Sequence, residues 1–475
     1  MIKYNAPIPT ISDQVMADTS IARSDMTGET TTLALGSKLE TFGDLVGKTT
    51  IRRALNIQTW NTAEGAKVLF AEARELPMLD IFLTVAAGSS QDDWTPGIAR
   101  LTSYMLGNGI DGKDASVIAQ DFEALGARLG IEPYDDRATF WLRSLSAAQQ
   151  REPAVKLFSE VVGKPTFPSD AVTRLKNLMI TSIENEKREP RRIAWDELYK
   201  KLYGDHPYAY RTNGNEKGIN AITLARLRAF HAKGYAAGNA VIAIIGDLSR
   251  EDAQVIAAQV SASLPKGPKL AKVGDPAEPT AGAMHIHSPS SQTQILLGQP
   301  GITRNDPDYV ALMASNSILG GSGFGSRLVM EVREKRGLTY DITSRLITSS
   351  ATGTFTIELQ TRAEMSENTL ELVQEIVRDF FANGPTQKEL DDIKRQMTGS
   401  FPLEVASNSA IGSRLADIGF YDLPLSHFDD YMTAIRELTI EQVKTAINRH
   451  LSAEKMIIVT VGPTVPQKEL PATAE

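Results

Sequence analysis

A helix-then-strand unit occurs twice in this chain, and that repetition limits the fold more than any single motif. Residues 223–230, Thr-Leu-Ala-Arg-Leu-Arg-Ala-Phe, precede the apolar run Asn-Ala-Val-Ile-Ala-Ile-Ile-Gly at 239–246. Residues 439–447, Thr-Ile-Glu-Gln-Val-Lys-Thr-Ala-Ile, precede Lys-Met-Ile-Ile-Val-Thr-Val-Gly at 455–462. The distance from Thr to Gly is 23 positions in both units (246 − 223 and 462 − 439), and the units start 216 positions apart (439 − 223). Each reads as a Thr-capped helix, a loop, a buried strand and a turn glycine. Upstream parts correspond as well. A strand over 81–87 and a helix over 96–105 match a strand over 293–298 and a helix over 308–319. A chance recurrence of helix–strand units is the plainer alternative. Equal spacing in both halves favours a duplicated α+β domain.

With 475 residues the chain is long enough for about three domain-sized units. Residues 1–50 read as an extension rich in Ser, Thr and Asp, with a short helix at 38–46. A first domain runs over 51–265 and a second over 284–466. Between them, 266–283 is a Pro-, Gly- and Lys-rich linker, and 467–475 is a polar tail. Hydrophobic residues make up 42% and charged residues 23%, enough apolar content for a sizeable core. A net charge of −8 argues against nucleic acid or an anionic membrane as a main partner. No apolar run approaches the roughly 18 residues of a membrane span. The N-terminus lacks a basic start and an apolar stretch, so no signal peptide is read there. A mature chain in the periplasm is expected, with the cytoplasm as the alternative, and the absence of Cys suits both.

Metal chemistry finds little support. The six His are at 206, 231, 285, 287, 427 and 450, and no two are three or four apart. No helix can therefore present a His pair to a metal. His285 and His287 alternate on an expected strand and share a face, so they could ligate an ion. The start of a strand after a linker is the more ordinary reading of them.

The densest local signal is residues 318–340. Gly-Gly-Ser-Gly-Phe-Gly leads into Ser-Arg-Leu, then Arg-Glu-Lys-Arg-Gly-Leu, and ends on Tyr340. Gly337 is expected to stop the helix, with a strand over 340–347 beyond it. Arg333 and Tyr340 then fall at a helix end and a strand start, where a cation and a phenol can converge on one carbonyl oxygen. The alternatives are an ordinary surface pair and a phosphate cradle. The cradle would need Lys then Ser or Thr after the last glycine, and here Ser326 and Arg327 follow Gly325.

That stretch resembles the C-terminal half of the insulinase/pitrilysin family of inverzincin zinc peptidases. The resemblance covers nearly everything after about residue 55. It implies an α+β fold of two homologous domains, each a mostly antiparallel sheet covered by helices in a ferredoxin-like arrangement. It also implies that Arg333 and Tyr340 help bind substrate and stabilise the transition state of a zinc site in the other half. The family's metal motif is His-x-x-Glu-His on a helix, and the matching stretch here is 97–105. Arg100 and Tyr104 stand where the two His would be, and Ser103 replaces the general base. The third ligand maps to Ser182, or to Thr181 if the register slips by one; Glu184 and Glu186 are out of register. Arg has no lone pair for a metal, and a neutral Ser is no base unaided. No metal site and no cofactor is therefore expected in this chain.

One half-site present and the other absent implies a non-catalytic subunit of a heteromeric zinc metallopeptidase. The expected partner is a homologous subunit carrying His-x-x-Glu-His and zinc, whose metal would activate water and polarise the scissile carbonyl. Unfolded peptides, added as a strand to a sheet edge, are the expected substrates. One rival is a purely structural or binding homologue with no role in proteolysis. Another is an independent enzyme with different chemistry in the same cavity. Two further segments are noted. The charge run 184–192 is placed on a helix ending near Pro190, and reads as a solvated face or a contact surface. Trp195, Tyr199, Tyr203, Tyr208 and Tyr210 read as helix packing.

Overall fold

The structure is a computed structural model that describes residues 55–471 except Asp93, Trp94 and Arg211. The N-terminal extension, its expected helix at 38–46 and the last four residues lie outside the described residues.

Two sheets organise the chain. The first is built from β1 (Ile57–Asn61), β2 (Lys67–Glu72), β3 (Met78–Val85), β6 (Arg128–Pro133), β7 (Ala138–Leu145) and β8 (Ala240–Gly246). The two-residue strands β4 (Gly109–Ile110) and β5 (Lys113–Asp114) form a separate small hairpin. The second sheet comprises β9 (Gly282–His287), β10 (Gln292–Pro300), β11 (Thr339–Ile347), β12 (Thr354–Arg362) and β13 (Ile457–Gly462). Read from one edge, the first sheet runs β6-β7-β3-β8-β2-β1 and the second β11-β12-β10-β13-β9. The orders superpose strand for strand, with β1 extra. Each sheet has one parallel pair, β2 with β8 and β9 with β13, and all its other pairings are antiparallel. A duplicated, mostly antiparallel α+β domain is therefore what the chain adopts.

The repeated helix–strand unit folds as its sequence indicates. The Thr223 hydroxyl caps helix Leu224–Gly234 by accepting the Arg226 N–H, and Thr439 caps helix Ile440–His450 by accepting that of Gln442. Gln442 returns the bond to the Thr439 N–H at 2.8 Å, closing a capping box. Boundaries move by a few residues elsewhere. The strand expected over 81–87 is Met78–Val85, and the helix expected over 96–105 begins at Ile98. The helix expected over 308–319 ends as an α-helix at Asn316 and continues through a wide π-type turn, Ser317–Gly321. The charge run is corrected. Helix Ser169–Glu186 ends inside it, residues 187–189 form a turn, and Pro190 opens the next helix, Pro190–Tyr203, where its missing N–H costs nothing.

The halves exchange helices. Helix Pro190–Tyr203 leaves the first half and lies on the second sheet, packing Trp195, Leu198, Leu202 and Tyr203 against Leu296, Ile457, Val459 and Val461. Helix Asn408–Phe420 does the reverse, setting Ile411, Leu415 and Ile418 on Leu69, Phe82, Val241 and Ile245. Central strands are thus covered on both faces, which is why β8 is buried at every position and carries no polar alternation. Close approach needs glycine at each crossing: a Cβ on Gly412 would sit 2.4 Å from the Phe82 ring, and one on Gly298 would sit 2.9 Å from Leu198. Trp195, Tyr203 and Tyr208 are buried in this contact, so the aromatic cluster packs as expected, while Tyr210 stays exposed. Among the described residues, no helix is long and apolar enough to cross a membrane.

Candidate functional site

Arg333 and Tyr340 meet at the end of the glycine-rich segment. The wide turn Ser317–Gly321 brings Gly320 against β11, where a Cβ would lie 2.7 Å from the Ser344 hydroxyl. A second π-type turn, Val329–Glu334, carries Arg333. It closes at Gly337, whose φ of +58° is the left-handed conformation glycine accepts most readily, with the Gly337 N–H on the Arg333 carbonyl at 2.8 Å. Strand β11 then starts with a bulge between Thr339 and Ile342. The Thr339 hydroxyl bonds across it to the Asp341 and Gln360 carbonyls, each at 2.7 Å. The bulge breaks the alternation, so Tyr340 and Asp341 are both turned outward and Tyr340 is 87% exposed.

The Arg333 guanidinium carbon stands 5.1 Å from the Tyr340 ring centre and 4.8 Å from that of Phe324. It is held between two aromatic faces, an arrangement that orients the cation while leaving its N–H edge available. Glu334 pairs with its Nε at 3.3 Å. Sequence reasoning passes over Phe324, although a lone aromatic ring among glycines is a readable signal.

The positions matching the metal motif gather elsewhere. Helix Ile98–Met105 starts on Gly97, and the Asp92 carboxylate accepts the Gly97 and Ala99 N–H groups at 2.7 and 2.9 Å. Arg100 lies 5.1 Å over the Tyr104 ring and donates to the Asn213 side-chain oxygen. Ser103 is fully buried; its hydroxyl bonds the Ala99 carbonyl at 3.0 Å and meets the Tyr235 hydroxyl at 3.1 Å. Burial pushes the Tyr235 phenol pKa up, so it stays protonated. On the facing helix, Ser182 donates to Glu186 at 2.9 Å. Arg100, Tyr104, Ser182 and Asn213 line one pocket of 230 Å³. Thr181 is exposed outside it. Glu186 is taken by Arg192 at 2.8 Å and by Asn213, and Glu184 is exposed.

Zinc needs three or four lone-pair donors around one point. Arg100 is a cation with none. The Ser103 hydroxyl is committed to the helix carbonyl and a protonated phenol, and the Tyr104 ring lies beneath the guanidinium. These residues do not fit the metal. His285 and His287 lie exposed on the edge strand β9, with His285 Nδ1 2.9 Å from the Thr460 hydroxyl. Among the described residues, the His, Asp and Glu side chains close enough to share an ion are Asp306, Asp308 and His450. There Asp308 already pairs with Arg449 at 2.6 Å and His450 at 2.9 Å. Nothing local in the sequence joined His450 to those carboxylates, which are over 140 positions away.

Two family models match this chain: Insulinase (Peptidase family M16) over residues 67–216, and Peptidase M16 inactive domain over 221–397. The chain belongs to peptidase family M16. A solved peptidase M16 inactive domain from Pseudomonas fluorescens is 59% identical, with a TM-score of 0.86, over 88% of this chain and 100% of that one. A Helicobacter pylori protein named non-peptidase homolog YmxG is 25% identical over 86% of this chain and 94% of its own length. A Bacillus subtilis relative, named an uncharacterized zinc protease YmxG, is 24% identical over 86% of this chain and 98% of its own. The inactive-domain matches make this chain a non-catalytic M16 member, in keeping with a motif helix that cannot hold zinc.

Proposed function

We propose that this M16 chain is the non-catalytic subunit of a two-chain zinc peptidase, lending Arg333 and Tyr340 to the active site of a homologous partner that carries His-x-x-Glu-His. The observation that carries the reading is the asymmetry between its two half-sites. At the motif helix, a cation and a buried hydroxyl held by the Ala99 carbonyl and Tyr235 offer no set of metal ligands. At the bulge, Arg333 is pre-oriented between two rings and Tyr340 stands in solvent with no structural task in its own sheet.

The chemistry follows from the donors. As a scissile carbonyl becomes tetrahedral, its oxygen gains negative charge. A guanidinium N–H and a phenol O–H aimed at that oxygen stabilise it more than the neutral carbonyl, which lowers the barrier. Holding Arg333 in place beforehand spares the cost of ordering it during the reaction. The partner supplies the metal chemistry. Strand β11, which carries Tyr340, is a sheet edge, and an unfolded peptide pairing along it passes the phenol while using only backbone bonds. The periplasm is the proposed compartment.

The test is to mix this chain with a His-x-x-Glu-His homologue from the same genome and measure cleavage of unfolded peptides. The mixture should cleave and neither Arg333→Ala nor Tyr340→Phe should support the full rate, each losing about a hundredfold or more. Unchanged rates in both variants would refute the role given to this half-site.

A further inference from the structure

The pocket beside the motif helix has a composition that a structural filler does not need. Arg100 contributes a guanidinium with five N–H donors. Its hydrogen-bond acceptor is the neutral Asn213 amide, and among the described residues no carboxylate pairs with it. The nearest acid in the network, Glu186, is neutralised by Arg192 and does not line the pocket. The Tyr104 ring centre lies 5.1 Å from the guanidinium carbon, and Nη1 is used on Asn213; among the described residues the Nε–Nη2 edge donates to no side chain. The opposite wall is apolar: Leu175, Leu178 and Met179, spaced three and four apart, present one face of helix Ser169–Glu186.

We propose that this pocket binds the free α-carboxylate of a peptide C-terminus whose last residue is aliphatic, with Arg100 as the carboxylate receptor. A planar fork matches a carboxylate through two parallel N–H···O bonds, which a lysine could not reproduce. A partly buried cation without a counter-charge carries a desolvation cost that an arriving carboxylate offsets. At 230 Å³ the pocket is smaller than the roughly 300–1,000 Å³ usual for drug-sized ligands, so it holds one terminal residue and not a long segment. One cation facing an apolar wall also suits a monoanion with an aliphatic side chain better than a phosphate. The disagreement with the family motif thus becomes a change of ligand: a position where relatives place a metal here presents an anion receptor.

The test uses the purified full chain without any partner, so it is independent of the subunit role proposed above. Two peptides of one sequence ending in Leu, one a free acid and one amidated, are labelled at the N-terminus and titrated by fluorescence anisotropy. The free acid should bind about ten- to a hundredfold more tightly, the range for losing a charge-assisted bidentate contact. Arg100→Met should abolish that preference, and Arg100→Lys should recover only part of it. Leu178→Glu, at a side chain 57% exposed at the pocket wall, should weaken the free acid without threatening the fold. Equal binding of acid and amide, or an acid preference that survives both Arg100→Met and Leu178→Glu, overturns the proposal. N-acetyl-leucine serves as competitor. If it matches the peptide in affinity, the pocket reads any small aliphatic acid and the peptide assignment falls.

Discussion

Arg191 forks onto Glu358 across the boundary between the two halves, its second N–H reaching the carboxylate at 2.8 Å. Trp195 Nε1 at 3.1 Å and Gln294 Nε2 at 3.2 Å complete the shell. Glu358 is 8% exposed, so the exchanged helix is held to its foreign sheet by a buried charge as well as by apolar contact. Burial alone would raise the Glu358 pKa, but the Arg191 and Trp195 bonds and the Arg345 charge outweigh it and hold the carboxyl below its usual value. A depressed carboxyl stabilises the fold above the unfolded pKa and loses that contribution as pH falls toward the folded one. Arg191→Ala should cost about 1.5–3 kcal/mol, the range for a bond to a charged group, read as a lower guanidinium midpoint at neutral pH. The loss should shrink in acid, where Glu358 is protonated in both proteins.

Two helix glycines predict opposite signs. Gly399, inside helix Gln387–Glu404, has open space around the position a Cβ would take, with no atom within 4 Å, so Gly399→Ala should stabilise by about 0.5–1 kcal/mol through backbone entropy alone. Gly412 faces the Phe82 ring at 2.4 Å, with Ile245 behind it at 3.2 Å. Gly412→Val should destabilise by about 1–3 kcal/mol from overpacking, more than any gain in helix propensity returns. Denaturation midpoints of the two variants check both signs.

How much of this was legible depended on whether the cause was local. The Thr223 and Thr439 caps and the apolar β8 and β13 runs declare themselves within a few residues, so the duplicated units could be read directly. The helix exchange could not. Leu198 and Leu202, or Ile411, Leu415 and Ile418, announce an apolar face, but nothing in their spacing says which sheet it meets. The Arg333–Tyr340 pair was placed by its motif, whereas its exposure follows from the bulge set by the Thr339 hydroxyl. The Arg100 contact to Asn213 joins residues 113 apart and leaves no trace in either segment.

His427 provides a pH test independent of any site. Burial, then the Arg304 and Arg414 charges, push its pKa down to about 4, against a smaller opposing pull from Asp430. Its Nε2 sits 3.4 Å from an Arg304 N–H, a contact in which neutral imidazole accepts. Between about 4 and the ordinary 6.5 the unfolded chain binds the proton and the folded chain does not. Stability should therefore rise with pH across that window, through this group, and fall as pH drops. His427→Gln keeps an acceptor but cannot titrate. Its unfolding midpoint should vary less between about pH 4.5 and 6.5 than that of the parent, and an identical slope would refute the assignment.

Phe324 separates orientation from chemistry. Stacked 4.8 Å from the Arg333 guanidinium carbon and 67% exposed, it can steady that cation but has no polar atom to donate to a carbonyl. An exposed cation–π contact contributes about 0.5–1 kcal/mol, equivalent to roughly a two- to fivefold change in rate. Phe324→Ala should therefore slow the reconstituted peptidase by a few-fold, against about a hundredfold for Arg333→Ala, and Phe324→Tyr should restore the parent rate because it keeps the ring face. If Phe324→Ala were as damaging as Arg333→Ala, the ring would be contacting substrate directly; if it were silent, Tyr340 alone would suffice to orient the guanidinium.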